Sequence, residues 1–156
     1  MRSRLLGWIF ALVAPVMAAP SFAEDVLLPD PTLSPAEVIG IQLSALQAND
    51  TPEPDAGIAQ TFAFAHPDNK RITGPLPRFA QMIKGPRYEV LLNHREHEIR
   101  EVASTDDAAA FAVIVTSRTG EVVGFRWAVA RVGEGEHAGA WMTIAVSPPV
   151  PVGNAI

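Results

Sequence analysis

The sequence predicts an α+β domain: N-terminal helices packed on one face of a curved antiparallel four-strand meander. Two patterns carry this expectation. Apolar residues recur at helical spacing from Ser34 to about Ile83, and from about Arg95 the pattern shifts toward alternation and β-branched runs. Helix-type segments first and strand-type segments after place the helices on one face of an antiparallel sheet. The chain has 156 residues, enough for one domain and too few for two ordinary ones.

The elements follow in order. Arg2 and Arg4 precede the uncharged stretch Leu5–Ala19, and Ser21-Phe22-Ala23 sets small residues where a signal peptidase reads. Residues 1–23 are therefore expected to be a cleaved signal peptide. The apolar run, about 15 residues and broken by Pro15, is shorter than the ~20 needed to cross a bilayer. Residues 24–33, with Pro29-Asp30-Pro31, read as a linker. A single domain is expected over 34–147. Ser34-Pro35-Ala36-Glu37 spells a capping box with proline at the first helical position. Val38, Ile41, Leu43, Ala45 and Leu46 then form an apolar face through about Ala48. A second helix starts at Asp55, with Ile58, Phe62 and Ala65 at helical spacing, and His66-Pro67 stops it. Asp68–Thr73 reads as polar loop, with His66 near the helix-end carbonyls. A third helix starts around Pro75, carries Leu76, Phe79, Met82 and Ile83 on one face, and ends at Gly85-Pro86. Strands are expected near Glu98–Ala103, then at Ala108–Thr116, Val122–Val132 and Ala140–Val146. Residues 148–156 read as a disordered, proline-containing tail.

Composition excludes several functions. Twelve basic against 17 acidic residues, a net charge of −5, leave no electrostatic footprint for nucleic acid. Cleavage after Ala23 removes two arginines and takes the net charge to −7. The chain has no cysteine, so disulfides, thiolate nucleophiles, iron–sulfur clusters and cysteine zinc sites are out. Arginine outnumbers lysine ten to two and alanine is abundant, a composition that suggests a GC-rich bacterial genome. The expected location is the periplasm or beyond it, with no membrane contact after cleavage.

Several word-blocks fall in a recognisable order: Ser34-Pro35-Ala36-Glu37-Val38, Leu46-Gln47-Ala48-Asn49-Asp50, Asn69-Lys70-Arg71-Ile72-Thr73-Gly74-Pro75, Tyr88 with Leu91-Leu92-Asn93-His94, and Trp141-Met142-Thr143. The chain from about Leu33 to Val146 thereby resembles the bacterial family called domain of unknown function 4864. That family is similar in outline to the nuclear-transport-factor-2-like superfamily, a cone of helices against a curved sheet. The resemblance implies this fold and no catalytic residues.

Strand parity assigns Phe111, Val113, Val115, Val123, Phe125, Trp127, Val129, Met142, Ile144 and Val146 to the inside of the cone. None is ionisable, so the cone reads as an apolar pocket or filled core without the acid–base pairs that proton transfer requires. No catalytic residue, cofactor or metal is assigned. His94-x-x-His97 is the metal-like spacing, but it lacks a third ligand and the order of a zinc-protease motif. Lys70 and Arg71, just before a helix start, are candidates for binding an anion, with Thr73 as an alternative helix cap. Tyr88 and His94 are candidates for a pocket mouth. The opposite sheet face, with Arg126, Ala128, Trp141 and Thr143, is alanine-rich, and Arg126 could stack on Trp141. This face is the candidate interface for a homodimer or a periplasmic protein partner. The leading functional expectation is a non-enzymatic module binding a small apolar or anionic ligand or a protein. The alternative is a small cone-pocket lyase, isomerase or hydrolase using Tyr88, His94 and Arg71.

Overall fold

A computed structural model describes residues 26–150 and residue 152. The expected signal peptide lies outside the described residues, as do most of the last six positions. The elements run α1 (Pro35–Gln47), α2 (Ala56–Ala63), α3 (Pro67–Thr73), α4 (Leu76–Ile83), a 3-10 turn (Glu89–Leu91), then β1 (Glu96–Ser104), β2 (Ala108–Thr116), β3 (Val122–Arg131) and β4 (Trp141–Val146). The strands form one antiparallel sheet in the order β1-β2-β3-β4. The α+β meander is thus as expected, with one helix more.

α1 starts where its capping box dictates. The Glu37 amide donates to Ser34 Oγ at 3.3 Å, and Glu37 Oε2 accepts from the Ser34 amide at 2.7 Å. Its inner face buries Val38, Ile39, Leu43 and Leu46 against the sheet. α2 crosses α1 at Gly57, where a Cβ would overlap the Ala45 carbonyl. Buried Asn49 ties this crossing down: its side-chain Oδ1 accepts from the Ile58 amide at 3.0 Å, and its backbone carbonyl accepts from the Gly57 amide at 3.0 Å. Ahead of α1, the 26–33 segment has no helix or strand. Leu27 and the Gln60 side chain hold it to α2 with two reciprocal bonds of 2.8 and 2.9 Å.

The expected loop at Asp68–Thr73 is a helix, α3. His66 stands at its N-cap, not at the carbonyl end of α2: its Nδ1 accepts from the Asp68 amide at 3.1 Å, and Pro67 takes the first helical position. Periodicity could not reveal α3 because none of its residues is buried. A histidine cap is also outside the usual Ser/Thr/Asp/Asn signal.

Two strands carry one extra residue each. The β1–β2 register jumps between Glu101 and Ala103, leaving Val102 as a bulge. The β3–β4 register jumps between Ala128 and Val129, where Ala145 and Thr143 are the successive partners and Ile144 is extra. Side chains alternate with period two, so the bulge reverses the expected facing of β4 beyond Ile144. Thr143 and Trp141, expected outside, are buried, at 3% and 5% exposure. Ile144, expected inside, stands at the rim, while Met142, also expected inside, is fully buried.

The tail expected from residue 148 keeps pairing with β3 as far as Val150. The Ser147 amide donates to the Arg126 carbonyl at 2.9 Å, and Val150 exchanges two bonds with Gly124 at 3.0 and 2.8 Å. On its other edge β4 is closed by the α2–α3 link, since Thr143 bonds the Phe64 carbonyl at 2.9 Å and the His66 amide at 2.8 Å.

Candidate functional site

Between α1, the α2–α4 helices and β4 lies a cavity of about 240 Å³. Trp127 from β3 and Leu46 from α1 line its interior; Phe79, Met82 and Ile83 from α4, with Leu91, add apolar surface. Ile72 and Thr73 from α3 and Ile144 to Val146 from β4 complete the lining. The helical spacing of Phe79, Met82 and Ile83 puts one face of α4 toward this space, which is why so short a helix docks.

A chain of buried polar groups runs along one side. Trp127 Nε1–H donates to Thr143 Oγ1 at 2.9 Å, Thr143 Oγ1–H donates to Gln42 Oε1 at 2.5 Å, and Gln42 Nε2–H donates to the Thr61 carbonyl at 3.0 Å. Thr61 Oγ1–H in turn donates to the Gly57 carbonyl at 2.8 Å. The chain links β3, β4, α1 and α2. Among the described residues no buried side-chain nitrogen or oxygen lacks a partner. The cavity therefore has no orphaned donor or acceptor asking for an ionic ligand.

Tyr88 is among the residues that line the cavity. Its ring stacks 6.4 Å from Phe125 and its hydroxyl donates to the Val146 carbonyl at 3.2 Å. Asn69, also in the lining, donates through Nδ2–H to the Thr143 carbonyl at 3.1 Å. Among the described residues no charged side chain lines the cavity, and Tyr88 is the one titratable residue there.

The other expected site residues do not converge on this space. Lys70 Nζ bonds the Ala63 carbonyl at 3.3 Å and lies 5.1 Å from the Phe62 ring centre, and burial lowers its pKa. Arg71 is exposed and pairs with Asp68 at 2.5 Å. Both cations thus sit on α3 with partners of their own, and they do not form an anion cradle. Thr73 does not cap α4 either, because its hydroxyl donates to the Asn69 carbonyl at 2.9 Å.

His94 is buried outside the cavity. Its Nδ1 lies 2.7 Å from the Leu91 carbonyl and its Nε2 lies 2.8 Å from His97 Nδ1. A carbonyl only accepts, so His94 carries its proton on Nδ1 and His97 donates to Nε2. Burial lowers both pKa values, and His97 lowers that of His94 further. Among the described residues no group of three metal-ligating side chains forms.

Of the outer-face candidates, Arg126 is exposed and Ala128 is half-buried on the expected face. Trp141 and Thr143 belong to the interior, and Trp141 is stacked by Arg131 at 4.6 Å, not by Arg126. The residues that sequence reasoning missed are Gln42, Thr61 and Asn69. Their side chains read as ordinary helix polar residues until β4 is placed.

A scan against protein-family models, a search of curated proteins and a search of solved structures each return no match to this chain.

Proposed function

We propose that this chain is an exported, non-enzymatic binding domain that holds a compact, neutral, largely apolar molecule in the cavity under β4. The observation that carries the reading is a space of about 240 Å³ whose lining is mostly apolar and, among the described residues, holds no charged side chain. An apolar cavity of ~150 Å³ accommodates benzene, so this one suits a substituted ring or a chain of about eight carbons. Asn69 and Tyr88 add an amide and a hydroxyl to the lining, which favours a guest with a single hydroxyl or carbonyl. Export rests on residues 1–23, and the cone-like outline of the nuclear-transport-factor-2-like superfamily fits helices lying over one sheet face with a pocket between. Kinship with the domain of unknown function 4864 family belongs to the same reading.

Native mass spectrometry of the protein purified from its own periplasm tests this. The expected result is a retained neutral small molecule on a chain starting near Glu24. A chain with Met1 intact in the membrane fraction would contradict export. An empty protein that also takes up no apolar compound on incubation would contradict binding.

A further inference from the structure

The sheet has two edges of different character. The β4 edge is covered by Phe64–His66, whereas β1 has a partner, β2, on one side and none among the described residues on the other. β1 is nine residues long, contains no proline and is mostly exposed, so its unpaired backbone groups can accept a further strand, subject to the charges it carries and the bulge at Val102.

The side chains of this edge are arranged in a particular way. Glu98 and Arg100 lie on the outer side, one on each side of Ile99, and pair at 3.2 Å with both side chains more than half exposed. His97 and Glu101 flank Ile99 on the inner side. Glu96–Glu101 is a regular stretch, since the bulge begins only at Val102.

We infer that β1 pairs antiparallel with β1 of a second copy of this chain, about a two-fold axis through Ile99, to make one continuous eight-stranded sheet. In that register Glu98 faces Arg100 of the second copy, and Arg100 faces Glu98 of the second copy. His97 faces Glu101 in the same reciprocal way, and Ile99 meets Ile99 beside the core. The two Glu98–Arg100 pairs become a square of alternating charge. Sliding the strands by two residues sets Glu98 against Glu98 in one direction and Arg100 against Arg100 in the other, and like charges directly opposite are unfavourable. The charge pattern thus selects both the partner and the register, as an isologous interface requires. This proposal does not depend on the cavity, and it uses the sheet edge in place of the outer face expected from sequence.

Sedimentation velocity over a concentration series, at low and high salt, tests it. The purified wild type is expected to dimerise, less so at high salt. Arg100→Glu, which sets like charges opposite twice, should weaken the dimer about tenfold or more. The double exchange Glu98→Arg with Arg100→Glu recreates every opposed pair and should restore it. A wild type that stays monomeric overturns the inference. So does a dimer that ignores Arg100→Glu but is broken by Ala128→Glu on the outer face.

Discussion

Thr143 holds one hydroxyl between the indole of Trp127 and the carboxamide of Gln42, with all three side chains buried. Thr143→Val keeps the shape and strands the Trp127 N–H and the Gln42 carbonyl. Each unpaired group costs about 1–3 kcal/mol, so the variant should lose about 2–4 kcal/mol in urea unfolding. A loss under about 1 kcal/mol would mean that water replaces the hydroxyl. The His94–His97 pair makes a second residue-scale prediction. Both folded-state pKa values lie below the ordinary 6.5, so the unfolded chain binds more protons. The stabilisation is fully present above pH 6.5 and is lost as pH falls through the lowered folded values. The carboxylates with shifted values lie below their ordinary range, Asp30 and Asp50 below 3.8 and Glu37 below 4.5, and act only at more acidic pH. Urea midpoints between about pH 7.5 and 5 should therefore fall in the wild type and stay nearly level in His94→Gln/His97→Gln. Equal slopes would remove the pair from the account. The spacing of these histidines was visible in the sequence, but their bond was not. Residues three apart on a regular strand face opposite ways, and these two meet because His94 lies just before β1, after Asn93 at φ 53°.

At the scale of elements, legibility followed the strength of local signals. α1 declared itself through Ser34, Pro35 and Glu37, and Ser34→Ala should lower stability by about 1 kcal/mol in thermal or urea unfolding. The four strands were legible from alternation and β-branching. α3 was not, because it buries nothing and is capped by a histidine. The facing of β4 was read correctly at Val146 and wrongly at Thr143 and Trp141. A one-residue bulge leaves no local mark in the sequence and shifts the facing on one side of it, although Met142, expected inside, is still fully buried. The α1–α2 crossing was equally hidden, because a glycine at a close approach looks like any other glycine. Gly57→Ala must separate the two helices or shift Ala45, and it should cost about 2–3 kcal/mol even though alanine is the better helix former. A neutral or stabilising result would show that the crossing gives way easily.

For the molecule as a whole, that bulge connects fold to function. It turns Thr143 inward to close the buried hydrogen-bond chain and leaves Ile144 at the rim of the cavity. The composition of the strand residues led to the expectation of an apolar pocket or a filled core, and of the residues assigned inward Trp127, Ile144 and Val146 line the cavity. Its polar fittings at Asn69 and Tyr88 depend on tertiary placement that no local pattern encodes. The cavity is the centre of the account, and calorimetric titration of octanol against octanoate measures it most directly. Eight carbons at ~0.8 kcal/mol per buried methylene give octanol a Kd of about 0.02 mM, weakened about fourfold for each carbon removed. Octanoate should bind far more weakly, because no cation among the described residues lines the cavity to offset burial of its charge. Met82→Trp, which fills the space from α4, should abolish octanol binding while leaving the fold intact. Octanoate binding as tightly as octanol, or octanol binding unchanged by Met82→Trp, would contradict the account.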